Sequence, residues 1–119
     1  MLADLGCDVY LANNRGTVYS LTHERWSVKD KEFWDFSFQD MALDQKANLQ
    51  VISERTNGKK VHYFGHSQGS VQMIAGLSDE NREIANTLHE KIEMFHALAP
   101  VVYMVICLYY PISYFLEGG

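Results

Sequence analysis

The chain is short of cysteine and of positive charge. Its only cysteines are Cys7 and Cys107. Two thiols so far apart make neither a disulfide framework nor a metal site, which excludes disulfide scaffolds and zinc modules. Both are expected to pack, at least partly buried, as small hydrophobes; they would pair only in an oxidising environment. Lys and Arg number 10 against 15 Asp and Glu, a net charge of -5 at pH 7. No basic stripe occurs, so no nucleic-acid partner is expected, and an anionic membrane is not favoured. No N-x-[ST] acceptor occurs. The N-terminal "MLADLGCDVYL" lacks a basic flank and is interrupted by Asp4 and Asp8, so it does not read as a signal peptide. What remains is 47% hydrophobic and 21% charged over 119 residues. That fits one small globular domain and is too apolar for general disorder.

Along the chain, "CDVYLA" at 7–12 reads as a short strand, and "NNRG" at 13–16 as the turn that ends it. Residues 17–36 are rich in aromatics without a period, which predicts a packed loop with one helical turn. Phe38, Met41, Ala42, Gln45, Leu49 and Ile52 recur every three or four residues and predict a helix over 38–55. Ser37 is its N-cap, Asp40 completes a capping box, and Asn57-Gly58 stops it. "KVHYF" at 60–64 reads as a strand, 68–77 as a helix and 79–91 as another, capped by Ser78. "IEMFHALA" at 92–99 reads as a third strand. This order predicts an α/β fold with a parallel sheet buried on both faces. Residues 97–116 carry no charge and are long enough to span a membrane. Pro100, Pro111, four tyrosines and the lack of a following basic residue favour a buried strand and an apolar loop instead.

"GHSQG" at 65–69 falls where the strand at 60–64 gives way to the helix at 68–77. A serine on a tight bend between Gly65 and Gly69 is the pattern of a nucleophile elbow. The bend exposes the Ser67 hydroxyl, the glycines admit close backbone approach, and the helix start offers the Gln68 N–H to a developing oxyanion. The bland alternative is a glycine-rich turn whose serine caps a helix. A triad in this fold needs an acid and then a histidine after the serine. Asp79 with His89 or His96 meets that order only formally, because Asp79 falls at the far end of the helix. His66 is expected to pack or line the pocket mouth. His62 with His66, and "HEKIE" at 89–93, show partial metal spacings, but no metal site is expected. Arg15 is expected to brace its loop. Asp35, Asp40 and Asp44 suit a helix start better than a catalytic pair.

Four stretches together resemble the acid lipase family of α/β-hydrolases, the group of gastric and lysosomal acid lipases: "LADLGCDVYLANNRGTVYSLTH" at 2–23, "FWDFSFQDMALDQKANL" at 33–49, "YFGHSQG" at 63–69 and "ALAPVVYM" at 97–104. Cys7 and Val18 are small departures. The resemblance implies a partial α/β-hydrolase fold over 1–119: a parallel sheet with flanking helices, incomplete at both ends, recognisable to about 104. Residues 105–119 would be an apolar tail, the entry to a cap region. It implies a serine ester hydrolase acting on long-chain acyl esters, triacylglycerols or sterol esters, with no cofactor. Ser67 would be the nucleophile and Gln68 N–H one oxyanion donor, with Gly65 and Gly69 shaping the elbow. The family's second donor lies near an earlier "HG" segment, and its catalytic Asp and His come well after the nucleophile; none is expected in this chain. The implied partners are a lipid ester and a lipid interface, and the family's compartments are secreted or lysosomal. The isolated chain is expected to be inactive. The alternative is a non-catalytic remnant or binding fragment, membrane-associated through 97–116.

Overall fold

A computed structural model describes residues 1–80 and 82–102. The expectations for the tail at 105–119, for Cys107 and for most of 97–116 lie outside these residues. Within them, no helix is long and apolar enough to cross a membrane.

Helix α1 spans Phe38–Arg55. Asp40 takes two hydrogen bonds at its start, from the Ser37 N–H and from the Ser37 hydroxyl, each 2.8 Å. Both lower the Asp40 pKa, and Arg15 adds to the effect. The stop is built as the sequence predicts. Asn57 and Gly58 take φ of 54° and 79°, and the Gly58 N–H reaches back to the Ser53 carbonyl at 2.8 Å. Strand β1 (Val61–His66), helix α2 (Gln68–Leu77), helix α3 (Arg82–Lys91) and strand β2 (Ile92–Leu98) follow. The two strands pair in parallel, from Val61 opposite Ile92 to His66 opposite Leu98, with one irregularity between Val61 and His62. Parallel neighbours need a long crossover, which α2 and α3 supply.

Side-chain alternation divides the sheet. Val61 and Tyr63 of β1, with Ile92 and Phe95 of β2, pack on a core of Leu49, Met73, Ile84 and Leu88. Met73 and Leu88 are fully buried; each such burial stabilises by about 1.5–3 kcal/mol. The three helices converge at Gly76, where a Cβ would come within 2.6 Å of Leu88 Cδ1 and 3.1 Å of Ala42 Cβ. His62, Phe64 and His66 point to the other face, and Phe64, Met94 and Leu98 are exposed there.

Several expectations are corrected. Among the described residues, helices cover one face of the sheet, not two, and the sheet has two strands, not three. Residues 7–12 form no strand. An extended segment becomes a strand only when a neighbour takes up its N–H and C=O groups, and no described strand lies beside it. Cys7, expected to pack away from solvent, is exposed on this segment. Ser78 closes α2, its N–H bonding to the Ile74 carbonyl at 3.0 Å, rather than opening α3. The aromatic loop holds one 3-10 turn, Lys31–Trp34. His23, Trp26, Phe33, Trp34 and Phe36 form a run of ring contacts through it.

Candidate functional site

The bend between β1 and α2 holds Ser67 at φ 51°, ψ -112°. A non-glycine residue is strained there, by about 1–3 kcal/mol. Local contacts keep it in place. The Ser67 N–H donates to the Leu98 carbonyl at 2.9 Å, tying the bend to the end of β2. The Ser67 carbonyl accepts from the Ser70 N–H at 2.9 Å, the Val71 N–H at 3.3 Å and the Ser70 hydroxyl at 2.6 Å. The Ser67 backbone is thus fully used, while its side chain makes no capping bond to the helix. Ser67 and Gln68 are both exposed.

Gly65 explains why the strand and helix can come so close. A Cβ there would lie 2.6 Å from the Gly69 carbonyl oxygen, 2.7 Å from its carbon and 2.9 Å from the Ser70 nitrogen. Backbone occupies the space a side chain would need. Gly69 is different: the nearest atom to a Cβ there is the Tyr63 hydroxyl, 4.0 Å away. That hydroxyl donates to the Gly69 carbonyl at 3.0 Å. Burial raises the Tyr63 pKa, against a smaller opposing effect of Gln72, so the group is a protonated donor at neutral pH.

The bend lies at the carboxyl end of β1 and the amino end of α2. The first N–H groups of a helix have no partner within it and carry its positive dipole end. No acidic residue stands in the first turn of α2 to neutralise that field. Among the described residues, the Gln68 N–H and the Ser67 hydroxyl are both left without an acceptor or donor partner. A hydroxyl beside a free amide at a helix start can attack a carbonyl carbon and stabilise the resulting oxyanion, given a base. The Gln68 side chain turns away, its Nε2 3.1 Å from Met41 Sδ on α1.

The other sequence candidates are not brought to the serine. His96 is engaged with His62, Nε2 to Nδ1 at 3.0 Å, and stacks on Phe64 with ring centroids 4.2 Å apart. His89 is exposed in the last turn of α3. His66 is exposed at the end of β1. Asp79 follows α2, ten residues of helix and so about 15 Å from the bend. None of these hydrogen-bonds to Ser67 Oγ. Among the described residues no group of three or more His, Cys, Asp or Glu could hold a metal ion.

Arg15 braces its loop, as its sequence context predicts. Its Nε lies 2.9 and 3.0 Å from the two Asp44 oxygens, its second guanidinium nitrogen 2.7 Å from Oδ1, and its backbone N–H 3.0 Å from Oδ2. The fork raises the arginine pKa further. One group of polar residues has no counterpart in the sequence reading: Tyr63, Gln72 and Asn14 join Gln45 in a line of side chains running to the bend. The available signal was Gln45, an amide on an otherwise apolar helix face.

No protein-family model matches the chain. Individual proteins do. Gastric triacylglycerol lipase of Bos taurus is 44% identical over 102 residues, covering 85% of this chain and 24% of that protein. Human lipase member K is 44% identical over 103 residues, 86% of this chain and 25% of that protein. Human lysosomal acid lipase/cholesteryl ester hydrolase is 38% identical over 108 residues, 90% of this chain and 26% of that protein. The chain spans about a quarter of the length of these curated relatives. With that identity along most of its residues, and an open parallel sheet flanked by helices, the chain belongs to the acid lipase family of α/β-hydrolases.

Proposed function

We propose that this chain carries the nucleophile and one oxyanion donor of a serine ester hydrolase for long-chain acyl esters of glycerol or a sterol. The observation that carries the reading is the strained bend at Ser67, with an unbonded hydroxyl beside the open start of α2. In the first step Ser67 Oγ attacks the ester carbonyl as a histidine base takes its proton. The carbonyl oxygen becomes an oxyanion at the Gln68 N–H. Collapse expels the alcohol, which takes the proton back from the base. Water then attacks the acyl-serine by the same route and releases the fatty acid. No described histidine supplies the base, so the chain alone is expected to be inactive. The substrate class follows the relatives, whose names specify triacylglycerol and cholesteryl ester.

The test is a graft. Residues 1–102 replace the matching segment of bovine gastric triacylglycerol lipase, and hydrolysis of an emulsified triacylglycerol is followed. An active graft that loses roughly a thousandfold or more of its rate on Ser67→Ala supports the reading. A folded graft without activity, or one indifferent to Ser67→Ala, overturns it. Labelling by a serine-reactive phosphonate, present in the graft and absent after Ser67→Ala, places the nucleophile independently.

A further inference from the structure

The line of side chains that ends at the bend has a direction fixed by chemistry. Its last member, the Gly69 carbonyl, can only accept. Tyr63 therefore spends its one hydroxyl hydrogen there, at 3.0 Å. The same hydroxyl must accept from Gln72, so Gln72 presents Nε2 to it, at 3.4 Å. Its Oε1 then faces Asn14, which must donate through Nδ2, at 2.6 Å. Asn14 Oδ1 is left to accept from Gln45 Nε2, at 2.7 Å. Gln45 and Gln72 are only 1% and 4% exposed. A buried amide without partners costs stability, so this wiring is tightly specified. It begins on α1, passes through the loop that Arg15 anchors, crosses α2 and ends on the backbone two residues after Ser67.

We propose that Tyr63 is a positioning residue: its hydroxyl, aimed by the one-way hydrogen-bond chain that runs through Asn14 and Gln72, clamps the start of α2 onto β1 and holds Ser67 in its strained, outward-facing conformation. The inference rests on the reading of Ser67 as a nucleophile for its importance to catalysis, but not for its physical content. Strain at a bend persists only when the surroundings over-determine it. The Tyr63 hydroxyl joins the two sides of the bend by a hydrogen bond, from the third residue of β1 to the second of α2.

The experiment uses the full 119-residue chain, labelled with 13C at the glycine carbonyls and 15N throughout. A carbonyl that loses a hydrogen-bond donor moves upfield. Tyr63→Phe removes only the hydroxyl, and the Gly69 carbonyl resonance is expected to move upfield. Exchange of the Ser67, Ser70 and Val71 amides should quicken roughly fivefold relative to amides in the middle of α1, as befits one lost hydrogen bond. Gln72→Glu tests direction. A carboxylate there can only accept, so it draws the Tyr63 hydrogen off Gly69 and gives the same upfield shift with no change in side-chain size. Gln72→Met, of similar length and apolar, leaves the hydroxyl on Gly69 and the resonance unmoved. A purely space-filling role predicts that neither Gln72 variant moves the resonance, since both keep the length of the side chain. An unmoved Gly69 carbonyl in Tyr63→Phe, or bend amides that, measured against those of α1, exchange no faster in that variant than in the parent chain, overturns the clamp. Should a Gln72 variant fail to fold, Tyr63→Phe decides alone. An inactive graft would sink the esterase reading and leave this result intact; an unmoved carbonyl sinks only the clamp.

Discussion

The two glycines of the "GHSQG" bend should respond to alanine in opposite ways. At Gly65 the added methyl meets three backbone atoms, at 2.6, 2.7 and 2.9 Å. Ordinary carbon contacts begin near 3.5 Å, so strand and helix must part by roughly 0.8 Å. None of the three atoms belongs to a side chain that could rotate away. Overpacking of this kind costs about 1–3 kcal/mol. Reduced freedom of the unfolded chain returns about 0.4–1 kcal/mol. The net loss is about 1–2 kcal/mol, which for a chain of this size lowers Tm by roughly 4–8 °C. At Gly69 the methyl meets nothing closer than 4.0 Å, and the residue is the second of α2. Alanine is the better helix former, so Gly69→Ala should gain about 0.5–1 kcal/mol. Thermal and urea denaturation of the full chain and both variants measure the difference. A Gly65→Ala protein as stable as the parent, or a Gly69→Ala protein less stable than Gly65→Ala, would refute the account of why the bend needs its first glycine.

Three other perturbations test the remaining contacts. Asp44→Ala removes every acceptor of the Arg15 fork and of the Arg15 backbone N–H; urea denaturation should show a loss of about 1–2 kcal/mol, which Arg15→Lys reproduces in part because an ammonium cannot form the fork. The Asp40 pKa is lowered by its bonds to Ser37 and then by Arg15, so its contribution is present above the unfolded carboxylate value near 3.9 and is lost as pH falls through the folded one. Stability measured from pH 6 down to 2 should therefore fall less steeply in Asp40→Asn, by at most about 0.5 kcal/mol given its exposure to solvent. Ser67→Gly should raise stability by about 1 kcal/mol in denaturant titrations, since glycine alone adopts a positive φ without strain; a destabilised variant would show that the bend is not strained.

The parts of the fold that depend on neighbours in sequence were legible. The period of α1, the Asp40 contact at its start and the Asn57-Gly58 stop are all settled within one or two helical turns. So is the placement of the "GHSQG" stretch where a strand becomes a helix. The expected strand at 7–12 illustrates the opposite case. "CDVYLA" has strand composition, yet a strand exists only by pairing, and the pairing partner is not written in the segment. Ser78 reads as an N-cap from sequence alone because Ser is equally at home closing a turn and opening a helix. The positioning chain was out of reach for a stronger reason. Its links join residues 31 and 58 positions apart. Gln45 alone announced that something polar lay opposite an apolar helix face, and nothing in the local pattern named Asn14 as its partner.

The bend shows where this chain gives up stability and where it recovers it. A serine at φ 51° is costly, and a glycine would be cheaper for the backbone. The surrounding residues do not relieve that strain; they hold it. Gly65 gives up its side chain so that α2 can start against β1. Leu98 on the neighbouring strand takes the Ser67 N–H, Ser70 closes on the Ser67 carbonyl, and Tyr63 reaches across to Gly69. Each of these contacts acts on backbone, and none occupies the serine hydroxyl. A capping serine would do the reverse, turning its oxygen onto the free N–H groups of the helix and resting in an ordinary extended conformation. Ser37 at the start of α1 has that extended backbone, at φ -121°, and its hydroxyl is spent on Asp40. The contrast between the two serines, both at the start of a helix, separates a residue that starts a helix from one that is presented by it.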